Sequence, residues 1–290
     1  MKTPSDQTNS ENAYVLDAES TAEMARLTDQ HRVVTRFMNG LLPEDIELPE
    51  KSAILDVACG PGGWVLDVAF EHPKSQVVGI DISTIAVRYA HARARSQGLE
   101  NNAMFQVMDA SKQLDFPDAS FDLVNARFLI GFLTPAAWPE FVRECMRITR
   151  PGGFIRLTEC DDMGITTSPA FEQLWVLCAR AFKKAGRSFA PEARNFNITP
   201  MLGQFLHQAG YQPIKTIPHV IDFSAGAEAH YSMVQDWMIG LQLLQPFLTK
   251  MDVTTQEQAE RLYQLAMGEM MADDFRALWY FASVIGQLPS

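Results

Sequence analysis

A strand that runs into a glycine-rich turn constrains this chain more than any other feature of its sequence. Ile54–Gly63 reads Ile-Leu-Asp-Val-Ala-Cys-Gly-Pro-Gly-Gly, and Trp64–Phe70 after it has the pattern of a helix start. Glycine adopts backbone conformations closed to other residues, and a new helix points free N–H groups at whatever occupies the turn. The stretch predicts a strand, a turn and a helix that hold a nucleotide-type ligand. An ordinary strand–helix connection is the alternative.

A second apolar strand ends in an acid. Val77–Asp81 places a carboxylate 21 residues after Gly60, where doubly wound folds bind a ribose diol. Val65 occupies the third glycine position of a dinucleotide fingerprint, and Asp56 is an unfavourable neighbour for a pyrophosphate. These residues favour S-adenosylmethionine, which has no phosphate, and an NAD-dependent oxidoreductase is a weaker alternative.

Four motifs in order resemble those of class I S-adenosylmethionine-dependent methyltransferases of the small-molecule type. Leu55–Gly62 resembles the first motif and Asp81 the ribose-binding acid; Met108–Ala110 resembles the adenine-binding turn and Arg150–Gly153 the turn that enters the fifth strand. The resemblance covers Ile54–Glu159 in detail and the rest of the chain in topology only.

The resemblance implies an α/β fold and a set of cofactor contacts. The expected fold is a doubly wound, mostly parallel seven-stranded sheet with an antiparallel last strand, an N-terminal lid helix and an inserted helical cap. The cofactor is S-adenosyl-L-methionine and the product S-adenosyl-L-homocysteine. The implied cofactor contacts in the core are Asp56, Ala58, Gly60, Asp81, Ile82, Met108, Asp109, Ala110, Asn125 and Ala126.

Alternating strand and helix patterns from 52 to 154 predict a parallel sheet with right-handed crossovers. We expect an N-terminal tail and lid helix over 1–50, the cofactor-binding core over 51–160, and the rest of the sheet with a helical cap over 161–290. The cap helices are expected at about 168–210 and 227–272. In the resembled family an N-terminal helix folds over the cofactor, so Tyr14, Arg26 and Gln30 are candidate lid contacts. A plain packing helix is the alternative.

The ends of the predicted fourth strand, Leu123–Ala126, and fifth strand, Phe154–Thr158, lie on the ligand side of such a sheet. Glu159 is the candidate general base or acceptor-orienting group, and a structural carboxylate is the alternative. Family members that methylate nucleobases or glutamine carry an Asn/Asp-Pro-Pro-aromatic turn after the fourth strand. This chain has Asn125–Phe128 there instead, so we do not expect such acceptors.

Methionine and aromatic residues concentrate in the predicted cap, where they form an adaptable apolar surface. Phe128, Trp175 and Tyr231 are candidate contacts for a small, apolar acceptor of the secondary-metabolite kind. A core or dimer interface would give the same composition. Homo-oligomerisation, the acceptor and the methylated atom (O, N or C) stay open.

Charge and hydropathy exclude some function classes. A net charge of −11 disfavours a nucleic-acid surface, which needs clustered Lys and Arg. No apolar run approaches the roughly 20 residues of a membrane span, and the N-terminus lacks the pattern of a signal peptide; we expect a cytoplasmic protein without membrane insertion. Asp161 and Asp162 alone do not make a metal site, so we expect no metal.

The sequence therefore predicts direct in-line transfer of a methyl group from S-adenosylmethionine to a small acceptor. A protein of the same fold that binds S-adenosylmethionine or S-adenosylhomocysteine without catalysis is the alternative. Loss of Asp81 or of the turn glycines would favour that alternative, and all of them are present.

Overall fold

The computed structural model describes residues 15–16, 20–43 and 46–290. Tyr14, a predicted lid contact, lies outside them. The helices are α1 (Thr21–Phe37), α2 (Gly63–Glu71), α3 (Thr84–Ser96), α4 (Trp138–Ile148), α5 (Pro169–Lys184), α6 (Thr199–Gln208), α7 (His230–Lys250) and α8 (Gln256–Met270). The strands are β1 (Ala53–Val57), β2 (Gln76–Asp81), β3 (Ala103–Val107), β4 (Phe121–Arg127), β5 (Thr149–Cys160), β6 (Ile165–Thr166), β7 (Ile214–Asp222) and β8 (Ala277–Gln287).

The strands form one sheet, and the predicted α/β class is confirmed. Strands β3, β2, β1, β4 and β5 lie side by side in that order and run parallel. Strand β8 pairs antiparallel with β5 on one side and with β7 on the other. The sheet has eight strands where seven were expected, because the two-residue β6 pairs with the start of β8.

Strands β4 and β5 extend beyond their predicted ends. The β4–β5 ladder continues to the pair Arg127 and Thr158, and β5 stays paired with β8 as far as Cys160 and Phe281. Glu159 therefore lies within a strand, and the chain leaves the sheet after Cys160. This shift decides which side chains reach the ligand side.

Three of the later helices form a layer beside the sheet. Helix α5 packs on α7 and α8, which also pack on each other, and α1 packs on α7 and on α2. Helix α6 differs from the expected cap, because it packs on α4 and on β5, β7 and β8, as a sheet-flanking helix does. In the parts of the chain that the structure describes, no helix is long and apolar enough to cross a membrane.

Candidate active site

A cavity of about 430 Å³ opens at the carboxyl ends of the central parallel strands. The loops after β1, β2, β3, β4 and β5 line one part of it, and α1, α5, α7 and β8 line the rest. Ten of the residues predicted as cofactor contacts and two of those predicted as acceptor contacts line this cavity. They are Arg26, Gln30, Asp56, Ala58, Gly60, Asp81, Ile82, Met108, Asp109 and Ala110, with Phe128 and Trp175.

The glycine-rich turn after β1 wraps around the end of β2. Gly60 and Gly62 have φ of 53° and 76°, and Ala58 has a φ of 56° that is uncommon for a residue with a Cβ. The Gly60 amide donates a hydrogen bond to Asp81 Oδ2 at 2.8 Å, and the Ser83 amide donates to Oδ1 at 2.9 Å. A carboxylate offers about four acceptor positions, so Asp81 retains acceptor capacity toward the cavity.

Asp56 lies beneath the turn in a buried polar chain. Asn125 Nδ2 donates to Asp56 Oδ1 at 2.6 Å, and Arg156 Nε donates to Asn125 Oδ1 at 2.7 Å. The Arg156 guanidinium also donates to the Leu41 carbonyl and stacks 5.3 Å from the Trp64 ring centroid. Burial raises the pKa of Asp56 to about 6, although Arg127, the Asn125 hydrogen bond and Arg156 each lower it.

The last residue of β4, Arg127, is a cation in the lining of the cavity. Arg127 Nη2 donates to His31 Nδ1 at 3.1 Å, and His31 Nε2 lies 2.8 Å from Asp67 Oδ2. Because Nδ1 accepts, the proton belongs on Nε2, and the imidazole is neutral; burial lowers the pKa of His31 in the same direction. No carboxylate of the described residues lies within ion-pair distance of Arg127.

Helix α1 forms one wall of the cavity, but its predicted lid contacts face another helix. Arg26 pairs with Glu23 at 2.7 Å and with Asp236 of α7 at 2.9 Å. Gln30 Nε2 donates to the other Asp236 oxygen at 3.0 Å. These polar groups therefore hold α1 on α7, and Arg26 and Gln30 also belong to the lining of the cavity.

The end of the cavity near β3 has Asp109 at its rim. The apolar residues Ile82, Met108 and Ala110 line the cavity beside it. The Asp109 carboxylate accepts hydrogen bonds from the Ser111 amide and hydroxyl and pairs with Lys112 at 3.0 Å. These hydrogen bonds and Lys112 lower the pKa of Asp109 despite partial burial, so the carboxylate is ionised at the rim.

The predictions for Asn125, Ala126 and Glu159 require correction. Asn125 and Ala126 are 0% and 1% exposed inside β4, and neither lines the cavity. Glu159 is 1% exposed inside β5, and its Oε1 accepts a hydrogen bond from the Leu129 amide at 2.5 Å. Burial raises the pKa of Glu159. Because β4 and β5 run further than predicted, the side chains at the cavity are Arg127, Phe128 and those after Glu159.

Aromatic rings surround the other half of the cavity. Phe128 stacks on Trp279 of β8 with centroids 5.7 Å apart, and Trp237 of α7 meets Trp279 edge-on at 5.3 Å. Trp175 of α5 also lines this half, and its indole donates to the Arg194 carbonyl. The predicted contact Tyr231 is wrong for this cavity, since it is 69% exposed at the start of α7 and does not line it.

Residues 54–153 match the family described as the methyltransferase domain. The matched segment contains the glycine-rich turn, Asp81 and the loop after β3, all of which meet at the cavity. The chain is a class I, S-adenosylmethionine-dependent methyltransferase. Its sheet order and the antiparallel last strand agree with that assignment.

Similar proteins carry methyltransferase names. Methyltransferase pytC of Aspergillus terreus (strain NIH 2624 / FGSC A1156) is 27% identical over 287 residues, which cover 92% of this methyltransferase and 81% of pytC. Ajmaline N-methyltransferase of Rauvolfia serpentina is 33% identical over 167 residues, 58% of this chain and 53% of that protein. In fold, the chain resembles phosphoethanolamine N-methyltransferase 2 of Haemonchus contortus, with a TM-score of 0.54, 16% identity, and coverage of 94% of this chain and 58% of that one.

The polar groups of the cavity fit the cofactor of this methyltransferase. S-adenosylmethionine combines a ribose diol, an ammonium, a carboxylate and a sulfonium. Asp81 has acceptor capacity for the diol, Asp56 is an anion for the ammonium, and Arg127 is a cation for the carboxylate. In the described residues no group of three or more His, Cys, Asp or Glu side chains is arranged to hold a metal ion.

Sequence reasoning missed several cavity residues. Arg127 is the last residue of β4, one position beyond the predicted strand end at Ala126, so a correct strand end would have identified it. His31 sits in the predicted lid helix at helical spacing from Leu27 and Val34 and carried no separate signal. Trp237 and Trp279 reach the cavity only through the packing of α7 and the placement of β8 in the sheet.

Proposed function

We propose that this methyltransferase methylates a small, mostly apolar acceptor bound in the aromatic half of the cavity. The proposal rests on one observation. The aromatic half of the cavity adjoins the end of β4, and the part that is lined by the loops after β1, β2 and β3 reaches the same strand end. We further propose that 51–160 supply the cofactor site and that α1, α5, α7 and β8 supply the acceptor walls.

The strand order supports one orientation of the cofactor. The sheet runs β3, β2, β1, β4, β5. We assign the adenine to the β3 end near Asp109, the ribose to Asp81 of β2, and the methionine moiety to Asp56 and Arg127 of β1 and β4. The reactive methyl group then faces the loop after β5 and the rings of Phe128 and Trp279.

The cofactor supplies a methyl group that its sulfonium activates for direct displacement. The protein has to hold the acceptor atom about 3 Å from that carbon and exclude water. Buried side chains of α1, α5, α7 and β8 close the cavity, and Arg26, the cation of the α1 wall, is paired with Glu23 and Asp236. We therefore propose that this part of the chain holds the acceptor close to the methyl group in an apolar enclosure.

The names of the relatives support a small acceptor. Ajmaline N-methyltransferase and phosphoethanolamine N-methyltransferase 2 are named for small amines as acceptors. A net charge of −11 disfavours a nucleic-acid acceptor.

The test is a transfer assay with methyl-labelled S-adenosylmethionine and a panel of apolar amines, phenols and alcohols. Transfer to a member of the panel, lost in Asp81→Ala, is the expected result. The panel also includes enolisable carbon acids, and cofactor binding is measured by calorimetry. If the protein binds the cofactor but transfers the methyl group to no member of the panel, the non-catalytic alternative is favoured.

A further inference from the structure

Asp162 is an ionisable residue in the lining of the aromatic half of the cavity. It follows β5 by two residues and lines the cavity together with Cys160 and Met163. Its Oδ1 accepts a hydrogen bond from the Gly164 amide at 2.8 Å. Its Oδ2 has no hydrogen-bond partner within the described protein. The carboxylate is thus held in place by one oxygen and has the other available.

The neighbouring acids are engaged elsewhere. Asp161 caps α6, where its Oδ1 accepts hydrogen bonds from the Ile198 and Thr199 amides at 2.6 and 3.1 Å, and its Oδ2 accepts one from the Thr199 hydroxyl. Glu172 accepts from the Thr166 amide at 3.0 Å. Neither lines the cavity. Burial, followed by the charges of Asp161 and Glu172, raises the pKa of Asp162.

Aromatic rings line the cavity beside Asp162. Trp279 Nε1 donates to the Asp162 main-chain carbonyl at 3.0 Å, which fixes the indole beside it. Phe128 stacks on that indole, and Trp237 meets it edge-on. Aromatic rings with a carboxylate attract organic cations through the ring quadrupole and the charge together. The one cation of the adjacent α1 wall, Arg26, is paired with Glu23 and Asp236.

We propose that the acceptor is a basic amine and that Asp162 binds its nitrogen, with the wall of Phe128, Trp237 and Trp279 around it. The inference rests on the proposed function and assigns the substrate class of the same site. A phenolate acceptor is disfavoured there, because its charge would face the Asp162 carboxylate.

The chemistry gives Asp162 a catalytic role. A protonated amine first gives up one N–H proton to solvent. The lone pair of the neutral amine then forms the new C–N bond while the C–S bond of the sulfonium breaks, and the electron pair of that bond stays on sulfur. Positive charge thus moves from sulfur to nitrogen. A carboxylate and aromatic rings beside the nitrogen stabilise that charge as it arrives, so they bind the transition state better than the neutral amine. The product of a primary or secondary amine then loses an N–H proton to solvent. A tertiary amine becomes a quaternary ammonium, which has no proton to lose.

The first test measures charge recognition without turnover. Benzyltrimethylammonium and its uncharged isostere neopentylbenzene are titrated into the full-length protein with S-adenosylhomocysteine, and binding is followed by tryptophan fluorescence. We expect wild type to bind the cation on the order of tenfold more tightly or better. Asp162→Asn should remove most of that preference, and Glu172→Gln, the matched control with a neighbouring bonded acid, should keep it. Equal binding of the two probes by wild type would overturn the proposal.

A second measurement covers the case in which Asp162→Asn fails to fold. In wild type the preference for the cation should fall as the pH is lowered and Asp162 takes up a proton; Asp161, Glu172 and the Cys160 thiol face the same region and are the other groups to consider. A preference that is constant down to pH 4 would contradict the assignment. Labelled transfer to tryptophol but not to tryptamine would also overturn it and would leave the proposed methyl transfer to a small acceptor intact.

Discussion

At the scale of single residues, Asp56 shows how the site is built at a cost to stability. It is 3% exposed, and its pKa of about 6 lies above the ordinary 3.8 because burial outweighs its hydrogen bond and the nearby arginines. A carboxyl group with a raised pKa contributes stability at low pH and loses it as the pH rises through the folded pKa. The charge of Asp56 at neutral pH therefore lowers the free energy of unfolding.

We predict that Asp56→Asn is more stable than wild type at pH 8, by up to about 3 kcal/mol, and equal to it near pH 4. Asparagine keeps an oxygen that can accept the Asn125 hydrogen bond and removes the buried charge. Urea unfolding at the two pH values measures the difference. A difference that does not change with pH would assign the effect to packing rather than to the charge.

Arg127 allows a test of the cofactor orientation. Its guanidinium is assigned to the methionine carboxylate, so Arg127→Gln should weaken S-adenosylhomocysteine binding by about 1.5–3 kcal/mol, the range of a charged hydrogen bond. Binding of methylthioadenosine, which lacks that carboxylate, should be unchanged. Asp81→Ala is the control, because loss of the ribose contact should weaken both ligands alike. If Arg127→Gln weakened the binding of both ligands equally, the methionine carboxylate would have to lie elsewhere.

At the scale of elements, the contact between α1 and the start of α2 depends on a residue without a side chain. A Cβ on Gly63 would lie 2.6 Å from His31 Cδ2, and one on Gly60 would meet Leu27 at 3.6 Å. The missing side chain at Gly63 thus lets α1 pack closely on the start of α2. His31 in turn carries the Arg127 hydrogen bond.

We predict that Gly63→Ala destabilises the protein by about 1–3 kcal/mol, since overpacking displaces the His31 ring. In a His31→Ala background the same change should be neutral or stabilising by up to about 1 kcal/mol, because alanine is the better helix former. Denaturant unfolding of the four proteins measures this cycle. An equal cost in both backgrounds would mean that the two residues do not meet.

At the scale of the whole molecule, the cavity joins parts of the chain that are far apart in sequence. Helix α1, the loops after β1 to β5, α5, α7 and β8 all contribute to its lining. Arg26 of α1 forms buried ion pairs with Glu23 of the same helix and with Asp236 of α7, and the second pair holds α1 to α7. A ligand in the cavity therefore contacts both the core and the cap.

We predict that S-adenosylhomocysteine at a hundredfold excess over its Kd raises the free energy of unfolding by about 2.7 kcal/mol. Hydrogen exchange should slow in α1 as well as in the turn between β1 and α2, because both line the cavity. Methylthioadenosine at the same excess over its own Kd is the control for the adenosine end. Protection confined to the core would show that α1 does not close on the ligand.

Sequence alone was enough to predict the strand–turn–helix of 54–70, a parallel sheet built from alternating strands and helices, and the position of Asp81 at the end of the second strand. These follow from local patterns, because strand periodicity, glycine conformation and the spacing to the next acid are read along the chain. The domain division stays a proposal, and so do the roles of the cofactor residues that line the cavity.

The side chains that line the aromatic half of the cavity became known from the tertiary structure alone. The pairing of β5 with β8 extends β5 to Cys160, which buries Glu159 and brings Asp162 to the cavity. The same pairing places Trp279 beside Asp162, 117 residues away in sequence. Strand ends and such long-range neighbours depend on hydrogen bonds between distant segments, and local patterns carry no information about them.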